Sequence, residues 1–593
     1  MPSPAQTTPP GSPGEVLTAH LDQLAHRRGV HRAFTAVEFT SPSADGTHSS
    51  LTWAAVRSRA LKVAARLRRT VEPGDRVALL LPQGLDYVAA FLGCLYARAV
   101  AVPLFPPSLP GHQGRLAAVL ADCAPSCLAT DSASAAELRR FTDGHPSAAE
   151  VAHLLVDAEG DTGEARGTPG TGEADAGLNG PGPAPDDVAY LQYTSGSTRT
   201  PTGVVITHAN VVANARQGIA AYGLDSRSTS VAWLPLFHDM GLVLSVAAPV
   251  VGGYPSVLMD PVDFLQRPVR WLRLLARYPG AISAAPNFAY DYCASRVPPE
   301  EAAGLRLHRV RALINGSEPV RPATVERFRR AFEPAGLPPE AHCPSYGLAE
   351  ATVFVCADPP GAAPGNVALD RAALGEGKAV TVAHEDTAAT HLTTCGAPAG
   401  QRLLVVDPHT CAPLPEGAVG EIWIQGPNIG AGYWNRPGRT AETFGARAVG
   451  EDGVWLRTGD LGALHHGALL VTGRRKDLLI VDGRNHYPQD IEETVQSALP
   501  YVRRDRAAAF TVPPRDGETS EAVVVVAELA RGSDPEAVDE AEATARARAA
   551  VSAAHGVRLS GLRLIAPGAL PRTSSGKVAR AASRDRYLDG SLT

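Results

Sequence analysis

A short stretch rich in hydroxyl side chains and glycine is the part of this sequence best suited to binding an anion. Residues 193–203 read Y-T-S-G-S-T-R-T-P-T-G, and five consecutive small residues follow an apolar run at 188–191: Thr194, Ser195, Gly196, Ser197 and Thr198. Such a loop can surround a phosphate, because glycine permits close approach of the backbone and hydroxyls donate hydrogen bonds. The spacing differs from that of the common P-loop, G-x-x-x-x-G-K-[ST]. A flexible polar turn is the alternative for this cluster taken alone.

Lysine is rare in this chain, and its distribution indicates a second reactive group. Of 55 lysines and arginines only four are lysine, at positions 62, 378, 476 and 577. Arginine can supply positive charge elsewhere, whereas a slim, mobile charge that reaches into a pocket favours lysine. Lys577 lies in P-R-T-S-S-G-K, and Lys476 lies in G-R-R-K-D. The sequence therefore predicts a functional role for Lys577, while the position of Lys476 would tolerate other polar residues.

The bulk composition excludes several classes of protein. A chain of 593 residues exceeds the size at which a single core keeps growing, so two or more domains are expected. A net charge of −6 gives no reason to expect nucleic acid, and no apolar run reaches the roughly 18 residues of a membrane span. The eight cysteines include no C-x-x-C pair, which predicts reduced thiols. Since no secretion signal is visible, the protein is predicted to be cytoplasmic, without stable membrane association.

Apolar periodicity after residue 51 predicts the elements that position the loop. Helical spacing at 56–67 is followed by a strand-like run at 76–81, a second helical stretch at 86–97 and a second strand at 99–105. This alternation predicts a parallel sheet with helices on both faces, which is an α/β fold. The loop after Tyr193 then lies at the C-terminal end of a strand, where open α/β sheets bind ligands.

Composition divides the rest of the chain into segments of different character. Residues 1–14 are rich in Pro, Ser and Thr and are predicted to be disordered, and residues 157–187 form a Gly/Pro/acid-rich mobile excursion. Residues 420–426 and 469–472 are predicted to be short strands of a small β-rich subdomain. A compact α+β tail follows, and its predicted elements are a helix from about Gln489, a strand at 522–529, a long helix from about Pro535 and the loop of Lys577.

Five motifs, in sequence order, resemble those of the adenylate-forming enzymes, the superfamily of acyl-CoA synthetases, luciferases and peptide-synthetase adenylation domains. They are Y-T-S-G-S-T at 193–198, Y-G-L-A-E at 346–350, R-T-G-D at 457–460, G-R-R-K-D at 473–477 and P-R-T-S-S-G-K at 571–577. The resemblance implies a large N-terminal domain at 15–475, made of parallel α/β layers and the small β-rich subdomain. A mobile C-terminal domain at 476–593 would be joined to it by a hinge at Lys476 and Asp477.

Further segments resemble the fatty acyl-AMP ligase branch of that superfamily: residues 191–201, 233–242, 264–268, 283–290, 315–320 and 483–492. General acyl-CoA synthetases usually carry glycine and lysine where this chain has Arg199 and Thr202. Residues 356–394 show little periodicity and fall where acyl-AMP ligases carry an insertion that separates them from CoA-using relatives. A long surface loop is the alternative for that segment.

The resemblance implies a site for ATP and Mg²⁺. Tyr346 would stack on adenine, Asp460 would accept hydrogen bonds from the ribose hydroxyls with help from Arg474, and Glu350 would hold the metal. The remaining residues implied to border the nucleotide, besides the loop at 194–198, are Gly316, Ser317, Glu318, Ser345, Gly347 and Leu348. Two departures remove phosphate contacts, because Ala349 replaces a threonine and Thr202 replaces a lysine; the second is expected to lower pyrophosphate affinity.

The resemblance also assigns the chemistry. Lys577 would bridge the acyl carboxylate and the α-phosphate as negative charge builds at phosphorus. His238, in F-H-D-M-G, would gate the substrate, although a lone histidine is more often a structural hydrogen-bonder, and Asp239 would orient local backbone. In a second orientation of the C-terminal domain, an acceptor-side loop would serve thioester formation: Gly483, Arg484, Asn485, His486 and Tyr487.

Four residues are assigned to the acyl pocket: Leu244, Ser245, Asn287 and Phe288. Leu244 and Ser245 stand where many fatty acyl-AMP ligases have glycines. If they line the acyl tunnel, their bulk shortens or reshapes it, which makes a medium-length or branched acid plausible.

Together these features predict ATP-dependent activation of a long- or medium-chain fatty acid to acyl-AMP, with release of pyrophosphate. The acyl group would pass to the phosphopantetheine thiol of a separate acyl carrier protein in polyketide, nonribosomal peptide or lipid biosynthesis, since only residues 578–593 follow Lys577. A fatty acyl-CoA synthetase that uses free CoA is one alternative. A catalytically silent nucleotide- or acyl-binding homologue is another; Thr202 and Ala349 would suit it, whereas Lys577, Glu350 and Asp460 together argue against it.

Overall fold

Two large sheets with helices packed against them form the body of the protein. A computed structural model describes residues 16–41, 44–109, 112–158, 181–194, 201–386, 388–481, 484–513, 522–532, 538–573 and 576–592. The predictions for residues 1–14 and 159–180, and for Ser195, Gly196, Ser197, Thr198 and Gly483, fall outside these ranges. Among the described residues, no helix is both long enough and apolar enough to span a bilayer.

The first large sheet has nine strands within the described ranges. From one edge to the other they are Ala397–Pro398, Cys356–Ala357, His342–Tyr346, Val310–Asn315, Ala281–Ala285, Thr229–Ala232, Ser256–Met259, Arg32–Glu38 and Thr47–Thr52. The six inner strands pair in parallel, and antiparallel strands close both edges. The C-terminal ends of parallel strands therefore meet along one edge of the sheet, as ligand sites in α/β proteins require.

The second large sheet has seven strands in the described part of the chain. Their order is Gly432–Tyr433, Gly203–Thr207, Val188–Tyr193, Val100–Pro103, Arg76–Leu79, Cys127–Thr130 and Ala152–Leu155. The first two strands in this order are antiparallel to their neighbours, and the others pair in parallel. Val188–Tyr193 and Gly203–Thr207 are thus the two arms of a hairpin, and the predicted phosphate loop connects them.

The helices cover the faces of these sheets because their apolar residues recur at helical spacing. Leu85–Ala97 is buried from Tyr87 onward and packs against Trp53–Leu67, whose first turn is capped by the Thr52 hydroxyl. The α-helices of the described residues are Leu17–Arg28, Trp53–Leu67, Leu85–Ala97, Gln113–Cys123, Ala135–Asp143, Pro146–Ala149, His208–Ala221, Asp239–Leu242, Ala248–Gly252, Pro261–Gln266, Val269–Arg277, Asn287–Arg296, Pro299–Ala303, Pro322–Phe332, Arg371–Gly375, Pro437–Phe444, Pro488–Ala498, Glu540–His555 and Arg580–Leu588.

The structure also contains three smaller β structures, a four-stranded sheet and two ribbons. Four antiparallel strands form one sheet: Arg402–Val406, Gly420–Gln425, Leu456–His465 and Ala468–Arg474. Two ribbons of paired strands are formed by Asn366–Asp370 with Ala389–Thr393 and by Leu479–Val481 with Arg484–His486. The first ribbon lies within residues 356–394, where strands of only five residues are too short to give a detectable periodicity.

The C-terminal tail has a core of its own. Its sheet consists of Val502–Val512, Ala522–Leu529 and Leu559–Ile565, and its helices are Pro488–Ala498, Glu540–His555 and Arg580–Leu588. Ile491, Val495, Val525, Ala547 and Val551 are fully buried between the sheet and two of these helices. The predicted α/β class, with a large N-terminal part and a small C-terminal part, is confirmed. The helix predicted from about Pro535 is described only from Glu540.

A buried amide network fixes the turn at residues 349–354, which carries Glu350. Asn214 donates to the Phe354 carbonyl at 2.8 Å and accepts from the Phe354 N–H at 3.0 Å. Asn428 donates to the Ala351 carbonyl at 3.1 Å. Thr352 has a positive φ of 68° and donates to the Asn428 carbonyl at 2.7 Å. The turn is therefore held from two sides, which offsets the strain of a threonine in an unfavourable backbone conformation.

Replacing Asn214 by alanine should lower the free energy of unfolding by about 1–3 kcal/mol, because it leaves the buried Phe354 N–H without an acceptor. Adenylate formation should fall as well, since the turn carries Glu350. Thermal denaturation and turnover measure the two effects. Gln113→Ala, an exposed change at a helix start, is the control. If the two variants unfold at the same temperature, the network does not stabilise the turn.

Candidate active site

One cavity of about 1540 Å³ lies where the two large sheets, the four-stranded sheet and the C-terminal tail meet. This volume exceeds the roughly 300–1,000 Å³ of a typical small-molecule pocket. The predicted site residues that line it are Thr194, His238, Asn287, Phe288, Ser317, Glu318, Ser345, Tyr346, Gly347, Leu348, Glu350, Asp460, Arg474, Lys476, Asp477 and Lys577. Residues that are distant in sequence are thus brought to one place.

Asp460 is held rigidly in the wall of this cavity. Strand Leu456–His465 carries it, and the side chain is buried. The Tyr346 hydroxyl donates to Asp460 Oδ2 at 2.8 Å, and Arg474 Nε donates to Oδ1 at 3.0 Å. Burial raises the pKa of Tyr346, so its hydroxyl remains a donor. Each carboxylate oxygen keeps a lone pair after these contacts, and the group can accept further hydrogen bonds from a ligand.

Glu350 is held by a tyrosine that the sequence motifs do not include. It lies in the short turn Ala349–Ala351, and the Tyr433 hydroxyl donates to its Oε1 at 2.8 Å. Desolvation raises the pKa of Glu350, and the bond from Tyr433 opposes that rise. Glu350 lines the cavity, so its carboxylate is within reach of a ligand there. Tyr433 gave no signal in the sequence, because one aromatic residue at a strand end is indistinguishable from a core tyrosine.

Lys577 brings the C-terminal tail into the cavity. The Thr573 N–H donates to the Lys577 carbonyl at 2.9 Å, and the Lys577 N–H donates to Thr573 Oγ1 at 3.2 Å, so these two residues are joined by a pair of hydrogen bonds. Desolvation lowers the pKa of Lys577, and repulsion from Arg474 lowers it further. Three carboxylates act in the opposite direction: Asp239, Glu318 and Asp460. The ammonium group therefore lies in the electrostatic field of the cavity's acids.

His238 and Asp239 form a pair at the start of the short helix Asp239–Leu242. His238 Nδ1 lies 2.6 Å from Asp239 Oδ1, which also accepts from the Met240 N–H at 2.7 Å. Burial opposes ionisation of Asp239, but the His238 ring and the Met240 N–H outweigh it and lower the pKa of Asp239. The two side chains therefore form a close charge pair in the wall of the cavity.

Glu318 and Asn287 support the wall of the cavity. Glu318 Oε1 accepts from the Phe288 N–H at 2.7 Å, and burial raises the pKa of Glu318. The Asn287 amide donates to Thr324 Oγ1 at 3.1 Å and its oxygen accepts from the Arg321 N–H at 3.2 Å. The polar atoms of Asn287 are therefore engaged within the protein.

Some predicted site residues do not line the cavity. Gly316 lies beside it, with its backbone so close to Ser345 that an added Cβ would lie 2.8 Å from the Ser345 carbonyl oxygen. Leu244 and Ser245 border a separate void of about 10 Å³, which is room for no more than one water molecule. The reason is local: these two residues belong to a π-helical turn, Val243–Ala247, that packs tightly against the strands below it.

The predicted acceptor-side loop lies outside the cavity too. Arg484, Asn485 and His486 form one strand of the second ribbon. Tyr487 is buried with three leucines, Leu369, Leu374 and Leu470. In this arrangement the loop therefore packs against the segment at 356–394.

The hinge and its surroundings hold the tail in place. Asp477 Oδ2 accepts from Arg580 Nη1 at 3.2 Å, whereas Lys476 is exposed at the edge of the cavity. Arg321 forms an ion pair with Asp505 across the cleft, and Arg371 Nη1 donates to the Ala554 carbonyl at 2.8 Å. These two contacts join the N-terminal part to the tail.

The base of the predicted phosphate loop lies in the same cavity and involves two arginines outside the motifs. The Thr194 N–H donates to the Thr202 carbonyl at 3.2 Å. Arg115 Nη2 donates to the Thr194 carbonyl at 2.9 Å, and Arg439 Nη1 donates to Thr202 Oγ1 at 3.0 Å. In a chain with 55 lysines and arginines, nothing in the sequence separates these two from surface charges.

Comparison with known proteins agrees with this geometry. The profile of the AMP-binding enzyme family matches residues 22–434. The long-chain-fatty-acid–AMP ligase FadD32 of Mycolicibacterium smegmatis is 44% identical over 98% of this chain and 95% of that protein. A solved structure from work on the fatty acyl-adenylate ligases of E. coli and L. pneumophila superimposes with a TM-score of 0.84, at 31% identity over 98% of this chain and 100% of the other. The structure of the L. pneumophila enzyme in complex with acyl adenylate and pyrophosphate superimposes with a TM-score of 0.73, at 31% identity over 97% of this chain and 96% of the other.

Three observations indicate the same family. The family profile covers more than half of the chain, and a relative is 44% identical over nearly its full length. Residues from all five motifs line the cavity. The chain belongs to the AMP-binding enzymes and, among them, to the fatty acyl-AMP ligases.

Proposed function

We propose that this protein uses ATP to convert a fatty acid to an acyl-adenylate and then transfers the acyl group to the phosphopantetheine thiol of a separate carrier protein. The observation that carries the proposal is that Glu350, Asp460 and Lys577, from three different parts of the chain, line one cavity. The similarity to FadD32 of M. smegmatis, a protein named as a fatty-acid–AMP ligase, supports the acid and the product.

The nucleotide would lie between Tyr346 and the segment at 316–318. Tyr346 would stack on adenine while its hydroxyl, already bonded to Asp460, ties the base site to the ribose site. Asp460 would accept hydrogen bonds from the ribose hydroxyls, and Arg474 would hold it in place. Ser345, Gly347 and Leu348 would complete this end of the cavity.

Glu350 is the residue that would hold Mg²⁺. The ion is hard and takes few protein oxygens, completing its shell with water and substrate phosphates, and it neutralises phosphate charge when bound. One carboxylate in the cavity wall, with Oε1 fixed by Tyr433, fits that requirement. Among the described residues, no cluster of three or more His, Cys, Asp or Glu is arranged as a metal site, so no all-protein cage competes with this arrangement.

In the first step an oxygen of the acid attacks the α-phosphorus, and the bond to the β-phosphate oxygen breaks to release pyrophosphate. All reactants are anionic, so catalysis rests on positioning and on neutralising charge. Lys577 would lie between the acyl carboxylate and the α-phosphate. The His238 ring, which lies 2.6 Å from Asp239, would position the acyl carboxylate beside Lys577.

In the second step the thiol attacks the acyl carbonyl and AMP leaves. Lys577 must withdraw to admit the thiol, so the tail would turn about Lys476 and Asp477. That movement would break the Arg321–Asp505 ion pair and expose the loop at 484–487, which now packs against Leu369 and Leu374. A pathway that makes polyketides, peptides or lipids would supply the carrier.

A trapping assay tests the function directly. Purified protein is incubated with ATP, Mg²⁺ and radiolabelled fatty acids of graded length, with CoA, a holo carrier protein or the same carrier without its phosphopantetheine arm. We expect acyl-AMP to accumulate and to discharge only onto the holo carrier. Acyl-CoA as the main product would instead identify a CoA synthetase, and no adenylate with any acid would identify a silent binding protein.

The lowered pKa of Lys577 predicts how the first step depends on pH. Its ammonium must be protonated to neutralise the α-phosphate, so the rate of pyrophosphate release should fall as pH rises through a pKa below the ordinary lysine value of 10.5. Lys577→Arg should be slower but should keep its charge, which moves this alkaline limb to higher pH. The profile is measured at saturating fatty acid and ATP. Identical alkaline limbs in both proteins would exclude Lys577 as the titrating group.

A further inference from the structure

The base of the predicted phosphate loop lacks a lysine but not a cation. Thr194 and Thr202 are the described residues at the two ends of the loop, joined by the bond between the Thr194 N–H and the Thr202 carbonyl. Thr202 is buried to 7% exposure and lines the cavity. A hydroxyl there can donate a hydrogen bond to a phosphate, but it cannot neutralise phosphate charge.

Arg439 supplies positive charge at this point. Helix Pro437–Phe444 carries it, and its Nη1 donates to Thr202 Oγ1 at 3.0 Å. The guanidinium carbon lies 4.9 Å from the centre of the Tyr433 ring, and the hydroxyl of that tyrosine donates to Glu350. The Tyr433 N–H also donates to Thr440 Oγ1 at 2.9 Å, which fixes the helix relative to the tyrosine. The guanidinium therefore has a defined position against Thr202 and the ring of the tyrosine that bonds to Glu350.

A surface cation held by a neighbouring acid would be the ordinary explanation for an exposed arginine. In the described part of the chain, however, no carboxylate forms an ion pair with Arg439, although Glu442 lies three residues later and lines the same cavity. Its contacts are instead a neutral hydroxyl and an aromatic face, which leave most of its five N–H donors for a ligand.

We infer that Arg439 binds the β- and γ-phosphates of ATP, and the pyrophosphate that leaves, in place of the phosphate-loop lysine that general acyl-CoA synthetases carry at the position of Thr202. The inference rests on the proposed ATP-dependent adenylation. A guanidinium offers two parallel N–H groups to phosphate oxygens. An arginine in place of the lysine therefore keeps the positive charge and also fixes the orientation of the bound phosphate. Arg439 assists departure of pyrophosphate as the bond to the α-phosphorus breaks, and it makes no contact with AMP.

Calorimetric titration of the full-length protein with Mg²⁺-pyrophosphate, Mg²⁺-ATP and AMP tests this assignment. In Arg439→Ala we expect pyrophosphate and ATP to bind about 10–100-fold more weakly, as for the loss of a charged hydrogen-bonded contact, and AMP to bind as in the wild type. Arg439→Lys should lie between the two. Arg447→Ala removes the same charge from an exposed position outside the cavity and should bind all three ligands normally.

A second variant tests whether a lysine on the loop can replace the positive charge of Arg439. Placing a lysine on the loop, as Thr202→Lys in the Arg439→Ala background, should restore pyrophosphate binding by at least half of the loss. Unchanged pyrophosphate affinity in Arg439→Ala would overturn the inference, and so would an equal loss of AMP affinity. The titrations contain no fatty acid. A protein that binds ATP through Arg439 but makes no acyl-AMP would therefore refute the proposed function and leave this assignment intact.

Discussion

The docking of the C-terminal tail against the rest of the molecule is the constraint on which the site depends. Lys577 belongs to the tail, whereas Glu350 and Asp460 belong to the N-terminal part, and all three line one cavity in this arrangement. The Arg321–Asp505 ion pair and the bond from Arg371 to the Ala554 carbonyl hold the orientation from two sides. An apolar cluster of Tyr487 with Leu369, Leu374 and Leu470 adds to these polar contacts.

The ionisation of each acid or base inside the cavity depends on the charges of the others. Desolvation favours the neutral forms of Glu350, Glu318 and Lys577, and the opposite charges around them restore part of the ionised population. ATP and a fatty acid bring further negative charge, which suits a site where Lys577, Arg474 and Arg439 face the ligand space. Part of the energy required to assemble these positive charges is therefore recovered when the anionic substrates bind.

Much of the fold follows from local patterns. Apolar periodicity agrees with the observed structure in four elements: the helix at 53–67, the buried strands at 76–79 and 100–103, and the tail strand at 522–529. Strands of two to five residues at 356–394 could not be predicted, because their pairing partners, not their own sequences, define them. The motif residues around Tyr346 and Asp460 were predictable because their types and order are distinctive.

The supporting residues were not predictable in that way. Tyr433 acts through a hydroxyl that reaches Glu350 from 83 residues away, and Arg439 is one arginine among many. Conversely, Leu244 and Ser245 were assigned to the acyl pocket from their place in the sequence, but they lie in a π-helical turn beside a separate small void. Side-chain direction in a turn is decided by packing, which a single sequence does not specify.

The most direct measurement of the central claim is exchange of radiolabelled pyrophosphate into ATP, because only a reversible adenylation joins the two. The wild-type protein should catalyse exchange when a fatty acid is present and not in its absence, and Lys577→Ala should abolish that exchange while still binding ATP. Exchange without acid, or exchange at the wild-type rate in Lys577→Ala, would contradict the account of the cavity as the place where an acyl-adenylate is made.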